Sequence, residues 1–161
     1  MMANGIIHST PAEVTDGATW EIWYKKVSGG FGSDIIFGKE STVLMHDISG
    51  NLNFALQTDS WEWIDTGANI TTGVITHITM TYDNSRIKVY VNGVNVYDEA
   101  KSGGVLNYND NAYKLNSRNA VESTLESPGN HTYYIFRIYS RALQSAEVRA
   151  NYNRDKDLLG V

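Results

Sequence analysis

Apolar and polar residues alternate with a period of two along most of this chain, the pattern of strands that bury one face. In Trp20-Glu21-Ile22-Trp23-Tyr24-Lys25, Trp20, Ile22 and Tyr24 fall on one side and Glu21, Trp23 and Lys25 on the other. Short strands follow at Ser33 to Gly38, Thr42 to Ile48 and Leu52 to Gln57, the last two joined by a Ser49-Gly50-Asn51 turn. From His77 to Tyr97 the pattern is a meander: Ile78, Met80 and Tyr82 alternate with His77, Thr79 and Thr81, and Ile87, Val89 and Val91 alternate with Lys88 and Tyr90. Asn92-Gly93 closes its second hairpin, because both central positions of a type I′ turn need positive φ. Asp98 to Asn130 is mostly polar, with a short strand expected near Tyr113 to Leu115, and Tyr133 to Tyr139 reads as a further strand. Ser140 to Tyr152 carries the one helical pattern, with Leu143, Val148 and Tyr152 near one face.

Many short strands, regular turns and a single helix predict an all-β fold: a two-sheet antiparallel sandwich with one short C-terminal helix. Periodicity leaves immunoglobulin-like and jelly-roll topologies both open, although the former wants fewer strands, differently spaced, in about 100 residues. At 161 residues the chain is read as one domain spanning 1–161. With 42% hydrophobic and 19% charged residues, disorder and coiled coil are excluded. The net charge of −5 leaves no field to attract nucleic acid or heparin-like polyanions. Cysteine is absent, which removes disulfides, thiolate nucleophiles and Cys-based zinc sites. The N-terminus lacks the basic region and apolar run of a signal peptide, and no stretch approaches a membrane span, so the chain is expected to be soluble. An excised domain of a secreted parent would look the same, and residence stays open.

Particular residues then point to a family. Thr79-Met80-Thr81-Tyr82-Asp83 followed by Ile87-Lys88-Val89-Tyr90-Val91-Asn92-Gly93 resembles the central motif of the laminin-G-like branch of the concanavalin A-like lectin/glucanase superfamily. Trp20 to Lys25 is similar to an early strand of that family, Ile36-Phe37-Gly38-Lys39 to another, and Arg137-Ile138-Tyr139-Ser140-Arg141-Ala142-Leu143 with Glu147-Val148 to its closing segment. The resemblance runs from Trp20 to Tyr152 and implies a jelly roll. The chain departs from the family where Ile75 replaces the usual Trp two residues before His77, and where Gln144 replaces a capping Ser. The second change is expected to weaken the capping box with Glu147 and move the cap to Ser145.

Catalytic signals are poor. Glycosidases need two carboxylates about 5–5.5 Å apart for retention, which on a strand means an even spacing. The family's hydrolase signature, Glu-x-Asp-x-x-Glu, is missing, and the spacings Glu13 to Asp16 and Glu62 to Asp65 are odd. His8, His46, His77 and His131 are far apart, without zinc-ligand spacing. Gly29-Gly30-Phe31-Gly32 has no Gly-Lys-Ser/Thr after it and is read as a flexible loop rather than a phosphate loop. The sequons at Asn69 and Asn130 matter only in a eukaryotic secretory host.

Binding signals are better. Trp61 and Trp63 lie two apart, so an extended chain shows both rings on one face, either filling the space between the sheets or offering a ring platform to a sugar. Asn107-Tyr108-Asn109-Asp110-Asn111 and Tyr113 supply amides, a carboxylate and aromatics in one segment, or form an ordinary solvated loop. The ligand-contact expectation is therefore Trp61, Trp63, Tyr108, Asn109, Asp110 and Tyr113. The family resemblance also implies a calcium ion at the sandwich rim; Asp110 with Asn107 or Asn109 are the local oxygens for it, although the run lacks the Gly and Glu of an EF-hand loop.

The expected function is a non-catalytic module that recognises a neutral glycan or a protein surface, with no nucleic-acid partner and no membrane insertion. An alternative is a structural or decoration protein of a virus particle, self-associating or assembled into the virion. The ending Asn151-Tyr152-Asn153-Arg154 with Leu159-Gly160-Val161 resembles laminin-G-like proteins of tailed phages. A glycoside hydrolase is the third reading.

Overall fold

Apolar alternation becomes two facing antiparallel sheets in the computed structural model, which describes residues 6–7, 17–28, 33–39, 42–58, 60–101, 113–117 and 129–161. In chain order the strands are β1 (Ile6–Ile7), β2 (Ala18–Ser28), β3 (Ser33–Lys39), β4 (Val43–Ile48), β5 (Asn51–Gln57), β6 (Trp61–Asn69), β7 (Ile75–Tyr82), β8 (Arg86–Val91), β9 (Val94–Ala100), β10 (Tyr113–Leu115) and β11 (Asn130–Tyr139), followed by helix α1 (Ser145–Leu159). One sheet has the order β1-β10-β3-β4-β5-β6 and the other β11-β2-β7-β8-β9. No helix among the described residues is long and apolar enough to cross a membrane.

The core lies between the sheets. Trp20, Ile22 and Tyr24 of β2 and Ile78, Met80 and Tyr82 of β7 face Phe37, Met45, Phe54 and Leu56 of the other sheet, as the alternation requires. A register shift between Ile35 and Phe37 turns both Ile36 and Phe37 into that core. The Ile36 carbonyl then accepts from the Tyr133 hydroxyl at 2.8 Å and the Asn116 N–H at 3.0 Å, so the bulge leaves it paired. Lys26 of β2 donates to Asp47 of β4 at 2.8 Å, and this buried pair joins the two sheets.

The second face of β2 is buried as well, which alternation alone does not announce. Thr19, Glu21 and Trp23 expose at most 1% of their surface. They lie under α1 and the segment that leads into it, where Tyr90, Leu143 and Val148 form a small separate core.

The helix departs from expectation at both ends. It begins at Ser145, because Ser140 to Gln144 run as a link tied to β2: Thr19 Oγ1 donates to the Arg141 carbonyl at 2.8 Å and accepts from the Leu143 N–H at 2.9 Å. It ends at Leu159 with Gly160 in the left-handed region. The cap is Gln144 rather than Ser145, and the Glu147 carboxylate accepts from the Gln144 N–H at 2.8 Å, so the capping box forms despite the missing Ser. Because Thr19 holds the incoming link at two points, Thr19→Val is expected to cost about 1–3 kcal/mol in urea unfolding. An unchanged midpoint would show that the link is held elsewhere.

Candidate functional site

The outer face of the six-stranded sheet carries an aromatic pair on β6, the last strand in that sheet's order among the described residues. Among the described residues β6 pairs with the single strand β5, with Trp61 opposite Gln57, Trp63 opposite Ala55 and Asp65 opposite Asn53. Alternation turns Ile64 and Thr66 inward, where they are buried, and turns Trp61, Trp63 and Asp65 outward. Trp61 is 37% exposed and Trp63 59%, large values for rings of this size. The choice between filling the sandwich and lying outside it is thus decided: both rings are outside.

Their centroids are 6.1 Å apart with planes inclined at 32°, and the His46 ring meets Trp63 edge-on at 5.7 Å. A row of His46, Asn53 and Asp65 crosses β4, β5 and β6 beside the rings. Asn53 spends its amide N–H on the Asn51 carbonyl at 3.0 Å, and one Asp65 oxygen accepts from the Gly67 N–H at 3.0 Å. Each keeps an oxygen for a further donor. Gln57, half-buried beside Trp61, donates its backbone N–H to the Thr42 carbonyl at 2.9 Å, while its side-chain amide makes no hydrogen bond among the described residues. Gln57, Asn53 and Asp65 are accessible neighbours of the rings that the sequence does not single out, whereas His46 is buried at 4% exposure. The register of the β5–β6 pairing places them there.

Of the remaining expected residues the structure describes Tyr113. Tyr113 is only 3% exposed; it sits in β10 within the core, and its hydroxyl accepts from the Trp20 indole N–H at 3.1 Å. Its ring is therefore part of the sandwich interior and not of a contact surface. Tyr108, Asn109 and Asp110, and the calcium expectation on Asn107 and Asp110, lie outside the described residues, as do His8, Glu13, Asp16 and Gly29 to Gly32. Among the described residues no group of three or more His, Asp or Glu is placed to hold a metal ion.

Glu62 and Asp65 point to opposite faces of β6, as their spacing requires: Glu62 reaches Lys101 at 3.3 Å, at the end of β9, while Asp65 faces out. They form no carboxylate pair of the kind glycoside hydrolysis uses.

Asn151 and Tyr152, in the C-terminal segment, have an internal role. Asn151 donates to Glu21 Oε2 at 3.2 Å, and the Tyr152 ring stacks on Trp23 at 5.6 Å with planes 2° apart. Both residues dock α1 onto the sheet. The Glu21 carboxylate beneath them, wholly buried, also meets His77 Nε2 at 2.9 Å, the Tyr139 hydroxyl at 2.9 Å and Arg137 at 3.2 Å. Arg137 continues to Asp155, itself 1% exposed and also bonded by Arg154 at 2.9 Å.

Similarity to known proteins agrees with this architecture. A protein from Bacteroides ovatus with a provisional carbohydrate-binding assignment superposes with a TM-score of 0.70 at 15% identity, over 91% of this chain and 43% of that one. The type C botulinum neurotoxin, whose cell entry depends on interaction with two ganglioside molecules, matches with a TM-score of 0.67 at 16% identity, over 88% and 36% of the two chains. The binding domain of botulinum neurotoxin DC in complex with rat synaptotagmin II gives 0.65 at 16% identity, again over 88% and 36%. The chain thus spans less than half the length of these structures, and at such identity the likeness is one of fold. No curated protein matches the chain in sequence. The model of the concanavalin A-like lectin/glucanases superfamily matches residues 3–149, nearly the whole chain, and the protein belongs to that superfamily.

Proposed function

We propose that this domain is a non-catalytic carbohydrate-recognition module that takes a neutral saccharide on the Trp61–Trp63 face. The observation that carries the reading is the pair of exposed indole rings on the outer face of β6, flanked by Gln57, Asn53 and Asp65. A pyranose presents an apolar C–H face that packs on such rings, while amides and a carboxylate bind the hydroxyls around it. The rings stand on a hydrogen-bonded sheet, so little ordering cost attends binding. A net charge of −5 disfavours polyanionic glycans and leaves neutral ones unopposed. The opposed directions of Glu62 and Asp65 support binding without hydrolysis.

The test is a glycan microarray probed with the purified domain. Saturable binding to a set of neutral oligosaccharides is expected, insensitive to moderate salt. A folded domain that binds no neutral glycan on the array would refute the reading.

A further inference from the structure

A concavity lies on the opposite side of the sandwich from the tryptophan pair, where the β8–β9 turn meets the flank of α1. It measures about 440 Å³, within the roughly 300–1,000 Å³ of small-molecule sites. Arg149, Tyr152 and Asn153 form one wall, at the i, i+3 and i+4 spacing that puts them on one helix face. Asn92, Val94 and Asn95 of the turn form the other.

Arg149 distinguishes this groove. Arg86 pairs with Asp98, Arg137 with Glu21 and Asp155, Arg141 with Glu147, and Arg154 with Asp155. Arg149 is the one described arginine that has no acidic partner among the described residues, and it stands exposed on a protein of net charge −5. A guanidinium presents a planar fork of donors that matches a carboxylate with two parallel bonds.

The walls are preformed. Asn92 and Gly93 hold φ of 50° and 74°, the left-handed pair expected of the turn. Gly93 lies so close to Tyr152 that a Cβ there would sit 2.9 Å from the ring, whose plane is stacked on Trp23. Asn92 Oδ1 accepts from the His77 N–H at 3.0 Å, which fixes its amide and leaves Nδ2 as a donor. Asn95 Nδ2 donates to the Tyr97 carbonyl at 3.2 Å, which leaves Oδ1 as an acceptor. Val94, 65% exposed, adds an apolar rim.

We propose that this groove binds a saccharide unit bearing one carboxylate, with Arg149 on the carboxylate and Asn92, Asn95 and Asn153 on the hydroxyls. One unpaired cation among neutral amides fits a single negative charge surrounded by hydroxyls better than a phosphate or a polyanion, which would draw on several cations. The site is independent of the tryptophan pair, since it lies on the outer side of the other sheet, and the two together would let one domain hold two sugar units at once.

The test is NMR titration of the ¹⁵N-labelled domain with sodium D-glucuronate, D-glucose and sodium acetate at matched ionic strength. Glucuronate is expected to shift the side-chain amide signals of Asn92, Asn95 and Asn153 saturably, while glucose and acetate leave them in place. Arg149→Gln, on an exposed helix position, is expected to keep the spectrum of the folded domain and weaken glucuronate by at least about tenfold. Trp61→Ala is expected to leave glucuronate binding unchanged, so loss of the neutral-sugar reading does not affect this one. The proposal fails if glucuronate shifts signals elsewhere or none, if Arg149→Gln binds as well as the wild type, or if acetate reproduces the same shifts at the same concentration.

Discussion

Glu21→Ala is expected to destabilise the domain by about 3–5 kcal/mol, the loss seen when one member of a buried charge network is removed. That corresponds to a fall in Tm of roughly 6–20 °C for a chain of this size. The carboxylate is wholly buried and serves four partners at once: His77 and Tyr139 from the sheet, Arg137 from β11, and Asn151 from α1. Truncation leaves these groups facing a cavity under the helix. Asn151→Ala removes only the contribution of α1 and is expected to cost less, about 1–2 kcal/mol. Differential scanning calorimetry checks both, and a Glu21→Ala protein that melts within 2 °C of the wild type, about 1 kcal/mol or less, would show that the helix is held by its apolar contacts alone.

The same network gives the stability a pH dependence. Burial alone raises the Glu21 carboxyl, but the hydrogen bond and charge of His77 and the bonds from Tyr139 and Arg137 outweigh it and hold it below its ordinary value. Asp155 is likewise pushed up by burial, yet the bonds from Arg137 and Arg154 hold it down at about 2. A carboxylate depressed in the folded state contributes stability that is fully present above its unfolded pKa and is lost as pH falls through the folded one. The wild type is therefore expected to lose stability from the ordinary carboxylate range, around pH 4.5, down toward pH 2. Glu21→Gln should lose less over that interval, and parallel acid-unfolding profiles for the two proteins would rule out a role for Glu21.

Trp63→Ala is expected to abolish most of the binding to neutral oligosaccharides. A tryptophan at the centre of a contact surface is commonly worth about 2 kcal/mol or more, or roughly thirtyfold in Kd. Trp61→Ala should weaken binding by a similar factor. The double variant should lose less than the sum of the two, because the rings lie 6.1 Å apart and share one ligand face. Both are exposed on β6, so the melting temperature should scarcely move. Isothermal titration against the strongest array ligand measures this, and single variants that bind as tightly as the wild type would place the sugar elsewhere.

Most strands were legible from alternation because one face of each is buried in the sandwich. Trp20, Ile22 and Tyr24 point inward as their spacing dictates, and the Asn92-Gly93 turn has the positive φ its residues permit. What alternation could not show is that the opposite face of β2 is buried too. Glu21 and Trp23 read as outward residues, and only α1 laid across the sheet makes them interior. Ser145, Ala146 and Glu147 lie in the first helical turn as their types predict, but the apolar stripe begins too early: Leu143 looks like part of it and belongs to a link bonded to Thr19. Gln144 serves as the cap without the usual Ser because the reciprocal bond comes from Glu147, whose carboxylate needs only a backbone N–H to accept from.

The site was legible in part. The i, i+2 spacing of Trp61 and Trp63 puts them on one face in any strand, but whether that face lies inside or outside depends on which side of β6 meets the other sheet. Ile64 and Thr66 settle it by facing inward. Tyr113 lies in the short strand its sequence predicts, but the polar residues before it also suggest a ligand contact, and pairing with β1 and β3 instead carries its ring into the core beneath Trp20.

The tryptophans themselves provide the most direct measurement. Of the four indoles, Trp20 and Trp23 are buried and Trp61 and Trp63 are exposed, so the domain carries two reporters on the proposed face and two away from it. In a ¹⁵N–¹H spectrum recorded during titration with a neutral oligosaccharide bound on the array, the indole N–H signals of Trp61 and Trp63 should move together and saturate. Those of Trp20, bonded to Tyr113, and of Trp23, stacked beneath Tyr152, should stay in place. Saturable binding that leaves the Trp61 and Trp63 signals unmoved would contradict the account.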